Sequence, residues 1–183
     1  MKYEVEQKHP VSEFASLEET LRAMGVAISG AEEELDLYFA HPLRDFAETD
    51  EALRIRRKGD ESWITYKGPK IDSTTKTRRE IELPLGGEAA TAIRWQGLLE
   101  ELGFTVAGEV RKSRRRAEVP WEGGPVGMTL DEVGGLGTFV ELEIQSDAAG
   151  IDAARSRLAE LARRLGLEKS ERRSYLELLL DRG

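Results

Sequence analysis

The chain has 183 residues, 39% hydrophobic and 34% charged, with 35 acids against 27 bases and a formal net charge of −8. That length suits one domain, expected over 1–183, and the interleaving of both signs argues against a general nucleic-acid binder, whose surface would be of one sign. The absence of cysteine, with only two histidines (His9 and His41), excludes disulfides and thiolate sites; carboxylates must hold any metal, which favours Mg2+ or Mn2+.

In chain order, residues 3–9 alternate polar and apolar and predict a strand, broken by Pro10. The chain enters this strand at once, without a signal-peptide pattern, and no apolar run nears the ~20 residues of a membrane span. A cytoplasmic protein with no membrane partner is expected. Phe14, Leu17, Leu21 and Met24 form the stripe of a helix over 12–24, stopped at Gly25. A strand over 34–40 ends before Pro42, and 43–51 is a polar connection. Strands follow over 52–58, 62–67 and 77–83, the first two joined by a Gly59-Asp60 turn. The stretch 68–76 reads as a mobile loop, and 88–102 as a helix. Three strands return over 105–119, 127–133 and 138–145, separated by Gly123-Gly124 and Gly134-Gly135. The chain closes with helices over 151–165 and 174–180.

The order strand, helix, several strands then repeats. Met24-Gly25-Val26-Ala27-Ile28-Ser29-Gly30 resembles Leu102-Gly103-Phe104-Thr105-Val106-Ala107-Gly108. This predicts two pseudo-equivalent halves of one sheet, although glycine often follows a helix for local reasons alone.

Strand side chains alternate between faces, so parity sorts them. Glu4, Glu6 and Lys8 share a face against Tyr3 and Val5; Arg54 and Arg56 oppose Leu53 and Ile55. Arg78, Glu80 and Glu82 oppose Ile81 and Leu83; Glu141 and Glu143 oppose Val140, Leu142 and Ile144. For any one strand, a solvated face explains this pattern. About eight such strands, however, suffice for a barrel, and the helices' apolar stripes need apolar surface to cover. The charged faces would then point inward, where ionised groups are costly unless paired or bound. Lysine and arginine suit phosphate oxygens, and carboxylates on the same surface need a cation between them and that phosphate. The expected fold is α+β, an eight-stranded antiparallel β-barrel with helices outside, and the expected ligand is a metal–polyphosphate. No phosphate loop of the GxxxxGK[ST] or GxGxxG type is present.

Glu4-Val5-Glu6-Gln7-Lys8 matches the ExExK signature of the CYTH, or triphosphate tunnel metalloenzyme, family. Asp36-Leu37-Tyr38-Phe39, Ala52-Leu53-Arg54-Ile55-Arg56, Thr65-Tyr66-Lys67-Gly68-Pro69 and Arg78-Arg79-Glu80-Ile81-Glu82 follow in the family's order. Then come Lys112-Ser113-Arg114, Asp131-Glu132-Val133-Gly134-Gly135-Leu136-Gly137 and Phe139-Val140-Glu141-Leu142-Glu143. The Asp-x-Tyr-Phe segment, the glycines before Phe139 and the terminal Arg173-Ser174-Tyr175 resemble the class IV adenylate cyclase branch.

The resemblance implies a divalent metal and conversion of ATP to cyclic AMP and pyrophosphate. By motif it implies that Glu4, Glu6, Asp131, Glu141 and Glu143 hold metal, with Glu80 and Glu82 at a second ion or orienting bases. Lys8, Arg54, Arg56, Lys67, Arg78, Lys112 and Arg114 would hold phosphates; Arg116 continues the parity of the last two. Lys8, Glu6 and Arg114 are the candidate catalytic residues, and a homodimer is the family expectation. A triphosphatase acting on tripolyphosphate, thiamine triphosphate or nucleoside triphosphate uses the same grip. A non-catalytic nucleotide or polyphosphate sensor would need only the bases. His9 falls on the parity away from the tunnel; Tyr38 and Trp63 could stack on a base or belong to the core. Leu176, Leu178, Leu179 and Leu180 should cap the barrel or a dimer.

Overall fold

The computed structural model describes residues 3–71 and 75–182. Residues 72–74 of the expected loop lie outside the described residues. The elements are β1 (Tyr3–Val11), α1 (Ala15–Ala23), β2 (Glu32–Ala40), β3 (Ala52–Lys58), β4 (Glu61–Lys67) and β5 (Arg78–Gly86). They continue with α2 (Ala89–Glu101), β6 (Thr105–Trp121), β7 (Gly124–Val133), β8 (Gly137–Ser146), α3 (Ile151–Arg164) and α4 (Tyr175–Leu180). The eight strands close into an antiparallel barrel in the order β1-β5-β4-β3-β2-β6-β7-β8, as the parity of the charged faces predicts.

The elements match the predicted ones apart from their ends. The main difference is β1, which runs through Pro10 to Val11. Beyond Glu4 this strand pairs only with β8, so Pro10's missing N–H falls where no ladder bond is required. The β1–β5 junction is short, pairing only Tyr3 with Arg79 and Glu4 with Arg78. Further along, Lys76 donates its backbone N–H to the Glu6 carbonyl, so the segment ahead of β5 continues the wall.

The repeated junction also has a structural counterpart. Gly25 and Gly103 both stop a helix at positive φ, 73° and 90°, a conformation other residues adopt at a cost. The succession β1-α1-β2-β3-β4 is matched by β5-α2-β6-β7-β8.

The apolar faces look outward, and helices cover them. α1 and α3 lie over β1, β7 and β8, where Leu21, Leu142, Leu158 and Leu161 are fully buried. Each contributes roughly 1.5–3 kcal/mol relative to exposure. Phe39, Ile55, Ala92 and Leu99 form the smaller core beneath α2. The short α4 packs Tyr175 and Leu178 against Val110, Val133 and Phe139. Its capping box joins Ser174 and Glu177. No helix among the described residues is long and apolar enough to cross a membrane.

Candidate functional site

With the apolar faces committed to helices, the charged faces meet inside the barrel around a cavity of about 680 Å³. Its walls have opposite character. β8, β1 and β5 are neighbours, and they present Glu141 and Glu143, Glu4 and Glu6, and Glu80 and Glu82. Across the cavity, β3 presents Arg54 and Arg56, and β6 presents Lys112, Arg114 and Arg116, with β2 between them.

The acidic wall carries internal cations. Lys67 of β4 bridges Glu4 at 2.8 Å and Glu80 at 2.6 Å, and Lys76 reaches Glu6 at 2.7 Å. Thr65 donates to Glu82 at 3.0 Å. Arg78 also lines this side. Lys8 is fully buried, donates to the Arg173 carbonyl and lies 4.1 Å above the Tyr175 ring centre. These cations do not neutralise the wall. Burial, with Glu4, Glu6 and Glu141 nearby, raises Glu143 to about 7. Burial alone would also raise Glu141, but Arg114, Lys76 and Lys8 outweigh it and hold that carboxyl well below its usual range.

The basic wall has the converse arrangement. Two inward carboxylates of β2 pin its bases. Asp36 accepts Arg56 bidentately at 2.7 and 2.8 Å, Lys112 at 2.9 Å and Arg54 at 3.4 Å. Glu34 meets Lys112 at 3.2 Å and Arg56 at 3.3 Å, and also accepts from Arg116. Against burial, these bases lower Asp36 well below its ordinary value and Glu34 to about 2. Five bases against these two carboxylates leave the wall positive; burial, then Arg114 and Arg56 close by, lowers Lys112 to about 8 despite Asp36 and Glu34.

Arg114 joins the walls. It binds Asp131 bidentately at 2.6 and 2.5 Å and Glu141 at 2.6 Å. Asp131 is 0% exposed and does not line the cavity; besides Arg114 it accepts the Tyr175 hydroxyl at 2.8 Å. Every other residue expected at the site from its motif lines this one cavity. His9 does not: it is buried with Nδ1 2.7 Å from the Lys169 carbonyl, and burial lowers its pKa. Tyr38 reaches the cavity and Trp63 does not.

Sequence reasoning passed over Glu34, Asp36, Lys76 and Tyr175 as site residues. The β2 pair was open to the same parity sort, since Glu34, Asp36 and Tyr38 alternate with Leu35, Leu37 and Phe39. Lys76 precedes a strand and has no periodicity to mark it. Tyr175 reaches the cavity only because a distant helix folds back.

The donor chemistry fits a divalent cation. Glu4, Glu6, Glu141 and Glu143 are oxygen donors on adjacent strands, and the raised Glu143 marks negative charge left uncompensated. Among the described residues no three acidic or histidine side chains stand together as a ready cage, and Glu4 and Glu6 are paired with Lys67 and Lys76. Gly127 leaves room for this cluster: a Cβ there would lie 2.9 Å from Glu143 Cγ.

Comparison with known proteins agrees with this architecture. A family model described as the CYTH domain matches residues 2–175. A Methanocaldococcus jannaschii protein, provisionally named adenylate cyclase, is 36% identical over 96% of this chain and 97% of its own. The Aeromonas hydrophila adenylate cyclase CyaB is 30% identical over 97% of this chain and 88% of its own. The solved PH1819 protein of Pyrococcus horikoshii OT3 superposes with a TM-score of 0.86 at 42% identity, covering 98% of this chain and 99% of that one.

Proposed function

The chain belongs to the CYTH domain family, and from that premise we propose that it is a divalent-metal-dependent enzyme converting ATP to cyclic AMP and pyrophosphate. The observation that carries this reading is the pair of opposed, unneutralised walls. Six carboxylates stand against Lys8, Lys67, Lys76 and Arg78 on one side, and five bases against Glu34 and Asp36 on the other, so each wall lacks the sign the other supplies. A free anion would worsen the acidic wall and a free cation the basic one. A metal–triphosphate complex, cation towards β8-β1-β5 and phosphates towards β3-β2-β6, relieves both. Two curated relatives bearing the adenylate cyclase name favour ATP as the triphosphate.

In this proposal Glu4, Glu6, Glu141 and Glu143 hold Mg2+ or Mn2+. When bound, the ion would neutralise developing negative charge and acidify the attacking hydroxyl. Asp131 sits behind Arg114 and sets its orientation rather than facing the ion. Arg54, Arg56, Lys112 and Arg114 orient the phosphate chain so that the ribose 3′ oxygen can approach the α-phosphorus in line with the departing pyrophosphate. Their guanidinium and ammonium donors stabilise the charge that gathers on the leaving oxygens. Pinned by Asp36, Glu34 and Asp131, these donors need little reorganisation as the bond breaks.

Incubating purified protein with ATP and Mg2+ or Mn2+ tests the reading. Cyclic AMP and pyrophosphate should form in equal amounts. Orthophosphate release from ATP or tripolyphosphate with no cyclic AMP at any pH would move the protein to the triphosphatases. Binding without turnover would make it a sensor.

A further inference from the structure

One end of the cavity is built by residues that carry no free charge for a substrate. Arg173, just ahead of α4, is committed to Glu171 at 2.6 Å and Asp181 at 2.8 Å. What this turn offers the cavity is its backbone carbonyl, on Lys8, and the Tyr175 side chain beside it. Tyr175 is 5% exposed and braced edge-on by Phe139, with ring centres 5.1 Å apart. Its face meets Lys8 at 4.1 Å and, more distantly, Lys112 at 5.8 Å. Its hydroxyl donates at 2.8 Å to the Asp131 oxygen that also accepts Arg114 Nη2 at 2.5 Å. One side chain from a helix more than forty residues from Asp131 in the chain therefore meets both Lys8 and the carboxylate that aims Arg114.

We propose that Tyr175 is a positioning residue for the phosphate grip, its ring holding Lys8 and its hydroxyl, through Asp131, holding Arg114. The inference rests on the triphosphate reading above. A lysine on a four-carbon stem loses its approach direction without a surface beneath it, and an aromatic face attracts the ammonium while offering no oxygen to compete with phosphate. Asp131 is bidentate to Arg114, so a hydrogen bond on its outer side limits rotation of the whole pair. Docking of α4 thereby becomes a condition for a competent site.

Two functions on different atoms of one residue can be separated. Tyr175→Phe keeps the ring and loses the Asp131 bond; Tyr175→Leu loses both. The probes are Mg2+–tripolyphosphate binding by calorimetry and cyclic AMP formation from ATP. Tyr175→Phe should bind tripolyphosphate within about twofold of wild type and turn over about tenfold more slowly, the loss expected for one hydrogen bond to a charged group. Tyr175→Leu should in addition bind about tenfold more weakly, the scale of a desolvated cation–π contact. In a Lys8→Met background, Tyr175→Leu should change binding by less than about twofold, because its target is gone. Leu178→Ala, which loosens α4 and with it Tyr175, should weaken binding in the wild-type background and by less than about twofold in Lys8→Met. Additive effects of Lys8→Met and Tyr175→Leu would overturn the ring contact, as would wild-type binding by Tyr175→Leu. Should Tyr175→Leu fail to fold, Tyr175→Phe still decides, since unchanged turnover in that variant would overturn the Asp131 link. Wild-type protein that binds tripolyphosphate but forms no cyclic AMP would sink the cyclase reading and leave the binding arms standing. Wild-type protein that binds none would overturn both.

Discussion

Glu143→Gln offers the sharpest test of the opposed walls, because one substitution should stabilise the metal-free protein while impairing the metal-bound one. Glu143 stands at about 7 against an ordinary 4.5, through burial and then Glu4, Glu6 and Glu141. A carboxyl whose pKa is raised by folding holds its proton better in the native state, so stability falls as pH rises from 4.5 towards 7 and the whole penalty is present above 7. That penalty is about 3 kcal/mol at pH ~8 and about 1 kcal/mol at pH ~5, with solvent at the cavity trimming both. Glutamine keeps the shape and removes the charge. In chelator, Glu143→Gln should therefore melt about 5–10 °C above wild type at pH ~8, with a much smaller gap at pH ~5. Adding Mg2+ should raise wild type more than the variant and narrow or reverse the gap. An equal gain at both pH values would mean that packing, not charge, is responsible. A lower melting temperature at pH ~8 would refute the crowded-carboxylate account outright.

Other outcomes follow from the same geometry. Glu6→Ala and Glu141→Ala should each reduce turnover of ATP at least about a hundredfold while circular dichroism stays native, since each removes an oxygen ligand of the cation that would neutralise developing charge; full turnover in either would remove that residue from the metal set. His9→Asn should flatten the acid limb of stability. Burial lowers the imidazole below its ordinary 6.5, so the unfolded chain takes the proton first and wild-type stability falls as pH drops below 6.5. Melting temperatures at pH ~7.5 and ~5.5 should diverge more for wild type than for His9→Asn. Asp36→Asn should cost about 3 kcal/mol or more, because Arg54, Arg56 and Lys112 lose the charge that pins them. Tripolyphosphate should restore part of that loss of melting temperature, and failure to do so would argue against an anion site on this wall.

The barrel was legible because period-two alternation is a backbone property, read from Glu4, Glu6, Lys8 or Glu141, Glu143 without any partner in view. That the charged faces point inward followed only from the helices' need for apolar cover, as at Leu21 and Leu158, and the ring order of the strands came from the fold. Parity assigns a face but not a depth. Asp131 shares the inward parity of Thr129, yet lies behind the wall because Arg114 and Tyr175 cover it. Lys76 was illegible for a different reason: it enters where β1 and β5 part, a gap that exists only once the ring has closed.

The repeated halves account for one of the two charged poles. Exchanging β1 with β5, β2 with β6, β3 with β7 and β4 with β8 returns the ring to its own order. The pseudo-twofold therefore passes through the β1–β5 junction on one side and the β2–β6 junction on the other. A charge preference on the first strand of a half is doubled at one pole, and one on the strand after its helix is doubled at the opposite pole. Glu4 and Glu80 come together in this way, bridged by Lys67. The other pole breaks the rule: β6 carries Lys112, Arg114 and Arg116, but its mate carries Glu34 and Asp36. Five bases already face the cavity from β3 and β6, and a further set on β2 would leave buried guanidinium groups with no anion before substrate arrives. Carboxylates at Glu34 and Asp36 allow the basic pole to fold empty, and five bases against two carboxylates keep it positive enough to favour the anion when it comes.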